Sequence, residues 1–272
     1  MAESKKSTNT KKTEVPQVTG NATGLRIGAV ILWILAIGFE VLALLTAIGK
    51  IFTGLSQTMR IVVMIGFIVL DLAALIIGSQ LWKRSNKIDP ASEKNKLKFW
   101  LWNNLGVIVA VFAFIPFIIL VLINKDTDKK TKAFASVVAV IALLIGGLAS
   151  YDWNPISAEQ LQAAKDNIKG EVYALPSGSV YHIKYKDKDG NEQYCQYIKE
   201  NGELKENAIT FENVEKAIKE GGYVRLCKTC AKKNDLYGLG INIDGGDIVD
   251  DAKDAVSEAV DDVSEAVADT GE

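Results

Sequence analysis

Histidine and cysteine are nearly absent from this chain. His182 is the only histidine, and Cys195, Cys227 and Cys230 are the only cysteines among 272 residues. Three cysteines cannot close a disulfide framework without leaving one over, which makes metal binding with the lone histidine the better first expectation. Charge of one sign is also lacking. The formal net charge is -2, so no overall field favours nucleic acid as a partner. The opening segment contains no apolar core, which excludes a signal peptide. It is rich in Lys, Thr and Asn and cannot bury enough surface to offset its ordering entropy, so residues 1–24 are expected to form a disordered polar tail. No nucleophile–base pair and no phosphate-binding glycine loop is legible, and the chain is not expected to be an enzyme.

Apolar runs, by contrast, are plentiful before residue 152. Four stretches, 25–49, 61–82, 99–123 and 134–151, reach the ~20 residues needed to cross a bilayer. In lipid each must be helical, because a helix satisfies its own backbone polar groups. Lysine and arginine are concentrated in the N-terminal tail and in the 83–98 loop, whereas the first loop has only Lys50 and Arg60. Lys125, Lys129, Lys130 and Lys132 in the third loop weaken this bias without reversing it. The expected topology is multi-pass, with both termini in the cytosol. Trp82, Trp100, Trp102, Tyr151 and Trp153 then all fall at the inner interface, where amphipathic rings reside. Asp89–Pro90 reads as a helix start for the third span, with Asp89 as N-cap, and Pro116 as a kink within it.

Two acids fall inside these spans. Glu40 and Asp71 are expected at similar depth, where a carboxylate is costly and faces the bundle interior or a water-filled cavity. With Asn103 and Asn104 they form a candidate intramembrane polar site. Its two readings are a proton or cation relay in a small transporter, and a packing element held by hydrogen bonds between helices.

After the spans, Ser157 and Gln160 suggest a capping box for a connector helix within 153–170. Residues 171–240 read as a small α+β module. "EVYAL", "SVYHIKY" and "NEQYCQYI" are strand-like, and Asp189–Gly190 predicts a two-residue hairpin turn. In that register Lys184 faces Cys195 and His182 faces Tyr197, so His182 and Cys195 share one face as diagonal neighbours. "TFENVEKAIKEGG" predicts a helix with Thr210 as N-cap and Gly221 or Gly222 as terminator. A strand "YVRL" then delivers Cys227 and Cys230. The four side chains together form a candidate Cys₃His site, for which zinc is the expected ion. A redox-active cysteine pair and ordinary reduced thiols are the competing readings. The segment "DKDGNEQ" is no calcium loop, because its glycine stands at the fourth position and not the sixth.

The succession "ALPSGSVYH", one cysteine, then "NAITFENVEKAIKEGGYVRLCKTC" resembles the Ada-type metal-binding module of bacterial DNA-alkylation repair proteins. The resemblance implies a small α+β fold and a metal held by His182, Cys195, Cys227 and Cys230. His182 stands where that module has its first cysteine, and no arginine run is present for phosphate contacts. Metal site and fold are therefore implied, and the repair chemistry is not. As a whole the chain also resembles bacterial four-span membrane proteins that end in an "SGxVYH…C…LCxxC" module, which implies the bacterial inner membrane.

The acidic segment 241–272 carries Val256, Val260, Val263 and Val267 at helical spacing and is read as an amphipathic tail. The expected architecture is therefore a membrane all-α domain of four transmembrane helices, followed by a small α+β zinc-binding module. The expected partners are the lipid bilayer and, through the module or the tail, another protein, but no nucleic acid. The expected role is binding or sensing.

Overall fold

The computed structural model describes residues 21–245. The acidic tail from 246 and the polar tail up to residue 20 lie outside the described residues. The chain divides into two units, one ending at Ala158 and the other beginning at Glu159.

The first unit is helical: α1 (Ala22–Ala47), α2 (Gln57–Ile88), α3 (Lys96–Asn103), α4 (Leu105–Ile123) and α5 (Lys129–Ser150). Among these, α1, α2, α4 and α5 are long and apolar enough to cross a membrane. Their outward faces carry large apolar side chains such as Ile34, Phe112 and Leu144, which are 64%, 74% and 59% exposed. A water-facing surface rarely carries apolar patches on this scale, which points to a membrane protein.

Three of the four long helices start at a side chain that takes up a free amide, and α4 has no such cap. Asn21, Ser56 and Asp128 cap α1, α2 and α5. The third span breaks at Asn104, so it begins at Leu105 and not at 99. Asn103 and Asn104 turn their amide nitrogens back onto the carbonyls of Phe99 and Trp100, a local bond that competes with the helix ladder. Asp89 is not the N-cap of this span. Its carboxylate is held by Arg26 at 2.8 Å, it closes α2, and Asn95 caps α3 instead. The helix α4 continues through Pro116.

Small residues set how α1 meets α2. On α1 one buried row is Ala29, Trp33, Ala36, Glu40, Ala43 and Ala47. On α2 a matching row among its buried positions is Met64, Ile68, Asp71, Leu75, Gly78 and Trp82. Both sets step by three and four residues, the spacing of a coiled-coil seam. Bulk on one side meets a small residue on the other. A Cβ added at Gly78 would lie 2.8 Å from Trp33 Nε1, while Ala29 clusters with Trp33 and Trp82. Seven residues from Trp33 along α1 and seven back from Gly78 along α2, this antiparallel register brings Glu40 opposite Asp71.

A second close approach joins α2, α4 and α5. Ser150 donates to Ser79 at 2.9 Å, and a Cβ on Gly106 would collide with Ser79 Oγ at 2.3 Å. Near the same end Lys83 donates to the carbonyls of Ala149 and Tyr151 at the close of α5. Trp82 donates to the Trp102 carbonyl at 2.8 Å, and the Arg26 guanidinium lies over both indole rings.

The boundary falls at the start of α6 (Ala158–Asn167), directly after Ser157. A four-stranded sheet of order β7-β1-β2-β8 forms the centre of the second unit, built from β1 (Val172–Ala174), β2 (Val180–His182), β7 (Ile209–Phe211) and β8 (Arg225–Leu226). The first three are antiparallel neighbours, and β8 runs parallel to β2. Two hairpins lie between, β3 (Tyr185–Lys186) with β4 (Glu192–Gln193) and β5 (Lys199–Glu200) with β6 (Glu203–Leu204). The helix α7 (Val214–Lys219) is capped by Asn213, since Thr210 is in β7. It ends at Gly222, whose φ of +75° favours glycine. A short helix α8 (Lys228–Lys233) follows β8.

The first hairpin departs from the predicted register. Tyr185 pairs with Gln193 and Lys186 with Glu192, one residue out from a two-residue turn at Asp189–Gly190. The Asp187 carboxylate accepts the amides of Asp189 and Asn191, which makes a longer loop with Gly190 at φ +83°. The two-residue turn belongs instead to Asn201–Gly202, both at positive φ, between β5 and β6.

Candidate metal centre

His182 is the last residue of β2, in register with Tyr173 of β1. Cys227 follows β8, and its amide donates to the Tyr181 carbonyl at 2.9 Å, which extends the parallel pairing and holds it beside His182. It also stands at the N-cap position of α8, so that Cys230 is carried in the first turn of that helix. Cys195 comes from the turn after β4, closed by the Ile198 amide onto the Cys195 carbonyl at 3.0 Å. It does not lie on a continuous strand opposite Lys184, as the predicted hairpin would place it. The chain curls to bring it to the same spot.

The four side chains offer ligand atoms that all lie within 4.8 Å of one another. Cys230 Sγ is 3.8 Å from His182 Nδ1. A tetrahedral ion with metal–sulfur bonds of ~2.3 Å and metal–nitrogen bonds of ~2.0 Å needs ligand separations of about 3.5–3.8 Å. The cluster is therefore close to the size that a single ion requires. Cys195 and Cys230 are completely buried, His182 is 4% exposed and Cys227 5%. Such closure leaves no open coordination position and is the mark of a structural site.

The electrostatics point the same way. Burial disfavours a charged His182, but its hydrogen bonds with Cys195 and Cys227 outweigh this and hold it at about 9. Hydrogen bonds with Cys195 and Cys230 pull the Cys227 thiol far down, while those with Cys195 and Cys227, together with burial, push Cys230 up. A divalent cation would replace these mutual hydrogen bonds with one central charge. Backbone amides supply the outer support: that of Cys230 bonds the Cys227 sulfur, and that of Ile183 bonds the Cys230 sulfur. Such bonds orient thiolate ligands. All three cysteines are free thiols.

The candidate intramembrane site divides in two. Glu40 and Asp71 lie opposite each other in the α1–α2 seam, on the buried faces of the two helices. Asp71 is completely buried and Glu40 is 8% exposed. Neither Asp71 oxygen nor Glu40 Oε1 has a hydrogen-bond partner among the described residues. Asn103 lies elsewhere: its Oδ1 accepts from Asn86 at 3.2 Å, and Asn86 is fifteen residues along α2 from Asp71, about 22 Å at helical rise. Asn104 Oδ1 accepts the Asp152 amide at 3.0 Å, so its role is to tie the end of α5 to the α3–α4 break. Sequence inspection did not find Asn86, Lys83 or Arg26 as members of this polar end. Their signal was polar or basic residues at the edges of the apolar runs.

No protein-family model, curated protein or solved structure matches this chain.

Proposed function

We propose that this is a bacterial inner-membrane protein in which four transmembrane helices anchor a zinc-stabilised module that binds or senses a ligand and does no catalysis. The observation that carries the reading is the closed Cys₃His cluster, with every ligand atom within 4.8 Å of the others. Three thiolates and an imidazole suit zinc, and thiolates disfavour magnesium and calcium. The resemblance to the Ada-type module supports the same ligand set. Burial of all three sulfurs, each within reach of the others and of one imidazole, supports metal binding over exchange with an external thiol. The lysine-rich end formed by the α2–α3 loop supports a cytosolic setting for both termini.

The test is the metal content of the full-length chain, purified in detergent under reducing conditions, with Cys195→Ser and Cys227→Ser variants alongside. About one zinc per chain, lost in both variants, is the expected result. A folded full-length protein without metal overturns the reading.

In the seam, Glu40 and Asp71 act as a packing layer between α1 and α2. The relay reading draws no support from Asn103 and Asn104, which sit far along the helices.

A further inference from the structure

The module carries a cleft of about 490 Å³ next to the metal centre. That volume lies within the ~300–1,000 Å³ of small-molecule sites. Its lining is mixed, with Ile168, Ile183 and Leu236 contributing apolar edges from largely buried positions. Its rim is basic, with Lys169, Lys184, Lys186 and Lys233 against Glu171 and Glu192.

Both acids are engaged. Glu192 pairs with Lys184 at 3.2 Å, and Glu171 accepts the Tyr173 hydroxyl at 2.7 Å. Lys169, Lys186 and Lys233 form no ion pair among the described residues. Lys169 donates to the Lys165 carbonyl, and Lys233 lies over the Tyr185 ring at 5.3 Å. The rim thus carries four ammonium groups against two carboxylates, a net positive charge, above a floor lined in part by apolar side chains.

The metal centre supports two walls of this cleft. Ile183 and Lys184 directly follow the ligand His182, while Lys233 and Asn234 close the helix that carries Cys230. Asn234 joins the two walls, since its side-chain nitrogen donates to the Lys184 carbonyl at 3.2 Å and to the Cys230 carbonyl at 2.9 Å. Whatever fixes His182 and Cys230 therefore fixes the spacing of the lysines.

We infer that this cleft binds an organic anion, a phosphate or carboxylate head on an apolar body, in a geometry held by the metal centre. The inference rests on the proposed binding role of the module and names its ligand class. The head is met by Lys186 and Lys233 and the body by Ile168, Ile183 and Leu236. A bare inorganic anion would use only the rim.

The probe is phenyl phosphate, titrated by calorimetry into the full-length protein in phosphatidylcholine nanodiscs, with empty discs as blank. Saturable binding is expected, with inorganic phosphate weaker by about tenfold or more for want of the apolar body. Reversing both exposed lysines, Lys186→Glu with Lys233→Glu, should weaken phenyl phosphate by about tenfold or more. Absence of saturable binding, or binding that the double reversal leaves unchanged, overturns the inference. Discs containing phosphatidylglycerol separate the sources of the anion: weaker phenyl phosphate binding there identifies a lipid headgroup, and unchanged binding identifies a soluble ligand. Zinc is measured on the same samples. A metal-loaded protein that fails to bind refutes the cleft and leaves the zinc module standing. Metal-free protein refutes the module reading, and the cleft is then judged by its binding alone.

Discussion

Removing the metal should unfold the second unit and leave the first intact. A unit the size of Glu159–Gly245 has a net stability of roughly 5–10 kcal/mol. A structural zinc site is worth about 10–16 kcal/mol at neutral pH in zinc-finger peptides. The ligands come from the end of β2, the turn after β4, the end of β8 and α8, so an ion would tie the turn that carries Cys195 to the β2–β8 pair and α8. Without it, three thiols and an imidazole remain buried within 4.8 Å of each other, with one another and the backbone amides of Cys230 and Ile183 as the polar partners of their side chains. The metal term is as large as the whole net stability, so the metal-free unit should be largely unfolded at 25 °C. The assay exploits where the aromatics fall. All five tryptophans, Trp33, Trp82, Trp100, Trp102 and Trp153, precede the boundary at Glu159. Chelation of the full-length protein in detergent should leave tryptophan emission unchanged. It should also expose the 171–240 region to limited proteolysis, and restoring zinc should reverse this. Unchanged protease resistance after verified metal loss would refute the reasoning.

Three further outcomes are expected. Replacing both acids of the seam, Glu40→Leu with Asp71→Leu, should hold or raise the thermal midpoint in detergent, because three of the four carboxyl oxygens lack a partner; a loss above about 2 kcal/mol would show that they have one. Gly78→Val should cost about 1–3 kcal/mol and shift Trp33 emission, since its Cβ would meet Trp33 Nε1 at 2.8 Å; an unshifted spectrum and midpoint would contradict the packing. Asp187 is held below the usual carboxylate range, first by its hydrogen bond from the Asn191 amide. Its contribution to stability is therefore present above the unfolded value near 3.8 and lost as pH falls through the lower folded value. Asp187→Asn should flatten that acid limb in a denaturation series, and an identical limb would discount the loop.

Much of the candidate site was legible in the sequence, though not the route to it. His182, Cys195, Cys227 and Cys230 stood out because they are the only residues of their kinds. The hairpin used to bring His182 near Cys195 was out by one residue. Asp–Gly at 189–190 matched the two-residue turn pattern, but the Asp187 side chain captured two amides and lengthened the loop. Asn201–Gly202, an equally strong turn signal, formed the true two-residue hairpin. The choice between them depends on a side-chain bond that spacing does not reveal.

Local and solvent-scale properties were decided by the sequence itself. Four apolar runs determine four long helices, because lipid demands internally bonded backbone. The scarcity of histidine and cysteine determines which residues can hold a metal. Only the tertiary structure decided which polar residues meet. Glu40 faces Asp71 because alanines and Gly78 let α1 and α2 approach in one register, and Asn103 is separated from them because it bonds Asn86 near the far end of α2. The cleft has the same origin. Its lysines are scattered from 169 to 233 in the chain, and they share a rim because β2 and α8 are joined through Asn234 behind the metal centre. Such meetings depend on contacts between distant segments, and no local pattern in the chain encodes them.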